Sequence, residues 1–145
     1  DIKPSLIKDN SKKELNKKRI LNSNLSKTIN PILRKIVTTK EGTAEFANIP
    51  GYEVAGKTGT AQKSSLGGYS KEKVNTFAAV FPISNPKFVL IVILDEPKIS
   101  KDYIYKYRNK SGSYKGTPFN TAGWTSVEIA GKIIENIGPI LATKY

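Results

Sequence analysis

Four consecutive residues, Lys57-Thr58-Gly59-Thr60, carry the side chains in this sequence best suited to chemistry. On a strand, successive side chains point to opposite faces, so Lys57 and Gly59 would share one side and Thr58 and Thr60 the other. Lys57 offers a positive charge and several donors. A lysine also shifts its pKa readily when desolvated, which would allow it a part in proton transfer. The threonine hydroxyls can hydrogen-bond a carboxylate. Gly59 lets a ligand or another segment approach the backbone closely. If the strand lies at an edge, its free N–H groups can bind an extended substrate or stabilise an oxyanion. Together these groups suit an anionic acyl substrate laid along the strand. As a bare tetrapeptide, the run is explained as well by a strand ending in a Lys-Thr-Gly turn.

Gly51 and Gly56-Lys57-Thr58 also satisfy the spacing of a phosphate-binding P-loop. The intervening Tyr52-Glu53-Val54-Ala55 reads as strand rather than as a phosphate cradle, and Gly59 weakens the start of the helix that such a loop requires. The context therefore argues against a nucleotide site.

The elements that must position this run follow from apolar periodicity. Residues 1–25 are polar and basic and read as a linker or loop, with a short extended piece at Ser5–Ile7. From Ser26, residues Ile29, Ile32, Leu33, Ile36 and Val37 form one helical face. Ser26 or Thr28 is expected to cap it, Pro31 to fall in its first turn or so, and Thr38-Thr39 and Gly42 to end it. Residues 41–51 read as a turn-rich connection, Tyr52–Gln62 as a strand and Lys63–Lys73 as a loop. Val74–Phe81 and Phe88–Leu94 read as an antiparallel hairpin across Ser84-Asn85-Pro86-Lys87. The second of these is apolar on both faces and is expected to be covered on both sides. Asp95–Asn120 reads as a long basic, tyrosine-rich loop. A last helix starts at a capping box, Thr125 to Glu128, has Val127, Ala130, Ile133, Ile134 and Ile137 on its apolar face, and stops at Gly138-Pro139. The expected class is α+β: a helix, three antiparallel strands and a C-terminal helix.

Composition narrows the chemistry. The 145 residues include no cysteine, histidine or methionine. Disulfides, thiol nucleophiles, the commonest zinc ligands and a Ser-His-Asp triad are thereby excluded from this chain. Any general base must be Lys, Asp, Glu or Tyr. The lack of methionine suggests a chain cut from something longer or processed at its start. No apolar run reaches the roughly 18 residues of a membrane span, and the N-terminus has no signal-peptide core. The net charge is +12, and the first 40 residues hold 11 Lys/Arg against 3 Asp/Glu. A basic arm of this kind suits nucleic acid or an anionic membrane surface. Its charge is mostly lysine without interleaved aromatics, which points instead to a solvated face and to no nucleic-acid partner.

The string Gly51-Tyr52-Glu53-Val54-Ala55-Gly56-Lys57-Thr58-Gly59-Thr60-Ala61-Gln62-Lys63 resembles class B penicillin-binding proteins, the monofunctional peptidoglycan D,D-transpeptidases, in which Lys-Thr-Gly is one of three signatures. Gly42-Thr43-Ala44 resembles the family's turn before this strand. Residues 75–82 and 90–97 resemble its next two strands, and Thr121-Ala122-Gly123-Trp124 with the following helix resembles the septal, cell-division subtype. The resemblance implies that residues 26–145 are the C-terminal part of a transpeptidase domain. It implies catalytic roles for Lys57 and Thr60, with Lys57 bonding a serine of the middle motif and the Thr60 N–H donating to the oxyanion. Thr58, Gly59 and Thr60 would form the substrate-binding wall, with the two threonines on the carboxylate of a substrate or β-lactam. No metal or organic cofactor is implied. The implied partners are peptidoglycan stem peptides, β-lactam antibiotics and cell-division membrane proteins. The implied location is the periplasmic face of the inner membrane, with an anchor upstream. The family's Ser-x-x-Lys nucleophile is not expected in this chain: Ser70 and Lys73 have that spacing but follow Lys-Thr-Gly instead of preceding it. The chain by itself is therefore expected to be inactive. A different class of function, a non-enzymatic basic module on an anionic polymer or membrane surface, would show itself as salt-dependent binding.

Overall fold

The computed structural model describes residues 21–108 and 110–144. Most of the 1–25 linker and its extended piece at Ser5–Ile7 lie outside the described residues. Helix α1 spans Ser23–Thr38 and starts three residues earlier than its apolar face suggests. The cap is Asn22, whose side chain accepts from the Asn24 N–H at 3.0 Å, so an Asx cap and not a hydroxyl sets the start. Pro31 consequently lies in mid-helix, where it leaves the Lys27 carbonyl without its intrahelical donor. The end is as expected, with Thr39 closing the helix on the Lys35 carbonyl.

The turn-rich connection that follows is packed, not exposed. Glu45–Ala47 form a 3-10 turn, and Ala44, Phe46, Ala47 and Ile49 are buried. Strand β1 spans Ala55–Ser65 and β2 spans Gly68–Phe81. The expected loop over residues 63–73 is therefore an extension of both strands around Leu66-Gly67, with a register shift between Gln62 and Ser64. Strand β3, Phe88–Asp95, pairs antiparallel with β2 across the expected turn.

Among the described residues the sheet order is β1-β2-β3, so β3 is an edge. It is covered on one face only. Val92 is buried, whereas Val89, Ile91 and Ile93 are 72%, 61% and 63% exposed. Among the described residues the expectation of cover on both sides is not met, because none of them packs on that second face.

Residues 95–120 contain a small hairpin, β4 (Ile104–Lys106) with β5 (Ser113–Lys115), anchored by the buried Tyr105. Helix α2 spans Ser126–Lys144 and runs through Gly138-Pro139 instead of stopping there. Gly138 is buried against the Tyr52 ring, where a Cβ would lie 2.4 Å from ring carbons. That contact holds the helix together past the proline. The capping box is diverted too: the Thr125 hydroxyl donates to the Thr121 carbonyl, and the Glu128 carboxylate goes to Tyr103 and Arg108. The core joins Val37, Phe46, Val54, Phe77, Phe81, Val92, Tyr105, Val127 and Ile134 between the sheet and α2. The expected order of helix, three antiparallel strands and helix is the observed one.

Candidate active-site wall

Lys57 to Thr60 lie in β1, opposite Ala78 to Asn75 of β2. The hydrogen-bonding direction of each residue follows from the ladder. On β2, the Lys73 and Phe81 carbonyls accept from Glu96 and Lys87, toward β3. Main-chain groups alternate along an antiparallel strand, so Thr76 and Ala78 turn toward β1 and pair with Gly59 and Lys57. The main-chain groups of Thr58 and Thr60 therefore point away from β2. Among the described residues β1 is an edge strand, so they face the open side.

Side chains divide as the strand period requires. Lys57 lies on the exposed face of the sheet with Ala78 and Ile91, and its ammonium donates to the Thr58 carbonyl at 2.7 Å. Thr58 and Thr60 lie on the other face. The Thr58 and Thr43 hydroxyls are 2.9 Å apart. The Thr60 hydroxyl accepts from the Ala122 N–H at 3.0 Å. The space beside Gly59, expected to admit a ligand or another segment, is filled by Thr76, whose Oγ1 a Cβ would meet at 2.4 Å. Gly56 is equally confined: a Cβ there would lie 2.5 Å from the Ala78 carbonyl oxygen. β1 continues to Ser65, so no helix follows Lys57, in keeping with the argument against a P-loop. Ser70 and Lys73 both lie on β2, and the Lys73 ammonium donates to the Asn120 carbonyl.

Beside Thr58 opens a cavity of about 330 Å³, lined by Thr43, Phe46, Thr58, Tyr107, Thr121 and Trp124 among others. Its aromatic wall is stacked: the Phe46 ring lies 5.5 Å from Tyr107 at 13° and 5.2 Å from Trp124. The wall is braced from behind by the buried Arg108 guanidinium, which donates to the Phe46 carbonyl at 2.7 Å and to Glu128 at 2.8 Å. Tyr105 supports it through bonds to Thr117 and the Trp124 carbonyl, and burial raises its phenol pKa. At the rim Lys110 pairs with Glu45, which raises the pKa of Lys110. Sequence reasoning marked Gly42-Thr43-Ala44 only as a turn. The hydroxyl contact to Thr58, the Ala122 donor and the aromatic wall come from segments far apart in sequence, and no local periodicity signals them.

The sequence matches the penicillin-binding protein transpeptidase domain over residues 2–121. The chain belongs to that family. Among curated relatives, the probable peptidoglycan D,D-transpeptidase FtsI of Caulobacter vibrioides is 32% identical over 135 residues, covering 88% of this chain and 21% of the relative. An FtsI homolog of Nephroselmis olivacea is 49% identical over 69 residues, covering 46% of this chain and 10% of the relative. The penicillin-binding protein 3 transpeptidase domain of Burkholderia pseudomallei superimposes with a TM-score of 0.57 at 28% identity, over 78% of this chain and 29% of that one. Penicillin-binding protein 3 of Mycobacterium tuberculosis, in complex with aztreonam, gives 0.57 at 27%, over 83% and 26%. This penicillin-binding protein chain spans about a fifth of the first of these relatives.

Proposed function

We propose that this chain supplies the Lys-Thr-Gly wall of a serine-type peptidoglycan D,D-transpeptidase, of the septal kind, acting at the periplasmic face of the inner membrane. The observation that carries the reading is the open edge of β1, where the Thr58 and Thr60 main-chain groups face outward. In this reading a substrate carboxylate rests on the Thr58 and Thr60 hydroxyls. The Thr60 N–H donates to the oxyanion as the carbonyl becomes tetrahedral. Lys57, on the opposite face, bonds a serine of the middle motif and supplies positive charge near the nucleophile. The nucleophile is a serine from outside this chain. Its oxygen forms the ester as the terminal D-Ala leaves, and an amine of a neighbouring stem peptide then displaces the serine. β-Lactams acylate the same serine, and cell-division membrane proteins are the partners of the intact molecule.

Labelling with fluorescent penicillin tests the reading. This chain alone is expected to remain unlabelled, and a longer protein that adds the upstream residues is expected to label. In that protein Lys57→Ala should abolish or strongly slow labelling. Strong labelling of the chain by itself, or an unaffected Lys57→Ala protein, would overturn the assignment.

A further inference from the structure

Asn75 is fully buried, an expensive place for an amide, and the proposed chemistry has no role for it. It sits on β2 directly across from Thr60, on the same face of the sheet. Its Nδ2 donates twice, to Asn120 Oδ1 at 2.8 Å and to Thr125 Oγ1 at 2.9 Å. The orientation of the amide is fixed by its partners. The Thr125 hydroxyl gives its own proton to the Thr121 carbonyl, and the Asn120 amide donates to the Pro97 carbonyl at 2.8 Å. Both atoms must therefore accept from Asn75. This leaves Asn75 Oδ1 buried without a hydrogen-bond partner among the described residues.

The two donations pin both ends of one turn, residues 120–125. Within it the Ala122 N–H donates to Thr60 Oγ1 at 3.0 Å. That bond occupies a lone pair of the Thr60 hydroxyl and leaves its proton to be given away, the polarity that a carboxylate ligand requires.

We propose that Asn75 is a positioning residue for Thr60, holding the 120–125 turn so that Ala122 sets the Thr60 hydroxyl as a donor and steadies its N–H at the open edge. The inference rests on the role given to Thr60 above. It places the source of Thr60's alignment in the second strand and the turn before α2, and outside the Lys-Thr-Gly run.

The test uses the longer transpeptidase that contains this chain and reads the rate constant for acylation by penicillin, with thermal unfolding measured alongside. Asn75→Ala removes the clamp. Ala122→Pro removes the N–H and sets a ring carbon in its place toward Thr60, at a position 1% exposed. It is compatible with the backbone because Ala122 opens a 3-10 turn and Thr121 before it is extended (φ −133°, ψ 160°). Each variant is expected to acylate about tenfold more slowly, the size of one mis-set hydrogen bond. Thr60→Val is expected to be slow as well, and adding Asn75→Ala to it should slow acylation no further. Folded Asn75→Ala and Ala122→Pro proteins that acylate at the parent rate would overturn the inference alone, as would an Asn75→Ala effect that persists in the Thr60→Val background. A Thr60→Val protein at the parent rate would overturn the role of the Thr60 hydroxyl together with the inference. If Asn75→Ala does not fold, Ala122→Pro carries the test.

Discussion

Gly56 and Gly59 bracket Lys57 and Thr58, and the two glycines are required for different reasons. A Cβ on Gly56 would lie 2.5 Å from the Ala78 carbonyl oxygen and 2.7 Å from the Phe77 ring, which is fully buried. Neither neighbour can move without opening the β1–β2 ladder or the core. Gly56→Ala is expected to cost about 1–3 kcal/mol, the usual range for overpacking, read as a lower urea midpoint. At Gly59 the obstacle is a single hydroxyl, Thr76 Oγ1, with the next atom at 3.8 Å. Gly59→Ala is expected to destabilise, and Thr76→Ala in the same molecule to recover most of the loss; a double variant no more stable than Gly59→Ala would refute that account. The alternation of Lys57 and Gly59 against Thr58 and Thr60 was legible because it depends only on the period of a strand. What crowds Gly59 was not, because Thr76 reaches it through the pairing register.

The helices carry the same lesson at the scale of elements. Their apolar faces were readable in part: Val37, Val127, Ala130 and Ile134 enter the core, whereas Ile29, Ile32 and Ile137 are 39%, 56% and 38% exposed. Their ends were readable only in part: α1 closes at Thr39 as expected, but Asn22, not Ser26 or Thr28, caps its start. Gly138-Pro139 has the composition of a stop, yet tertiary contact with Tyr52 outweighs it. The 63–73 stretch has the composition of a loop because both faces of that hairpin are largely exposed, so no apolar alternation marks it. Pro31 and Pro139 each interrupt a helical ladder while remaining solvent-exposed. Replacement by alanine loses little packing and returns an N–H to the Lys27 or Glu135 carbonyl. Pro31→Ala and Pro139→Ala are each expected to stabilise, by up to about 3 kcal/mol, measured as a raised unfolding midpoint. No gain at either site would mean that the helix needs the proline's bend for its packing.

At the scale of the molecule, the sheet has one finished face and, among the described residues, one open face. α2 and the buried side chains of β2 close the first. The second presents Val89, Ile91 and Ile93 on an edge strand, beside the exposed Lys57. An apolar patch on an unpaired edge favours association. The net charge of +12 opposes association over long range, but salt screens charge beyond about 10 Å at 0.1 M while leaving apolar contact intact. This chain alone is therefore expected to self-associate as salt is raised, and Ile91→Lys to suppress that association in sedimentation velocity. In the longer transpeptidase the same substitution should act with opposite sign. If the face there packs against the remainder of the domain, a lysine at position 91 is buried without a partner, and the folded yield should fall. Ile91→Lys that improves both proteins would mean that this face stays open in the intact molecule, and that Lys57 works from a solvent-exposed surface instead of a closed one.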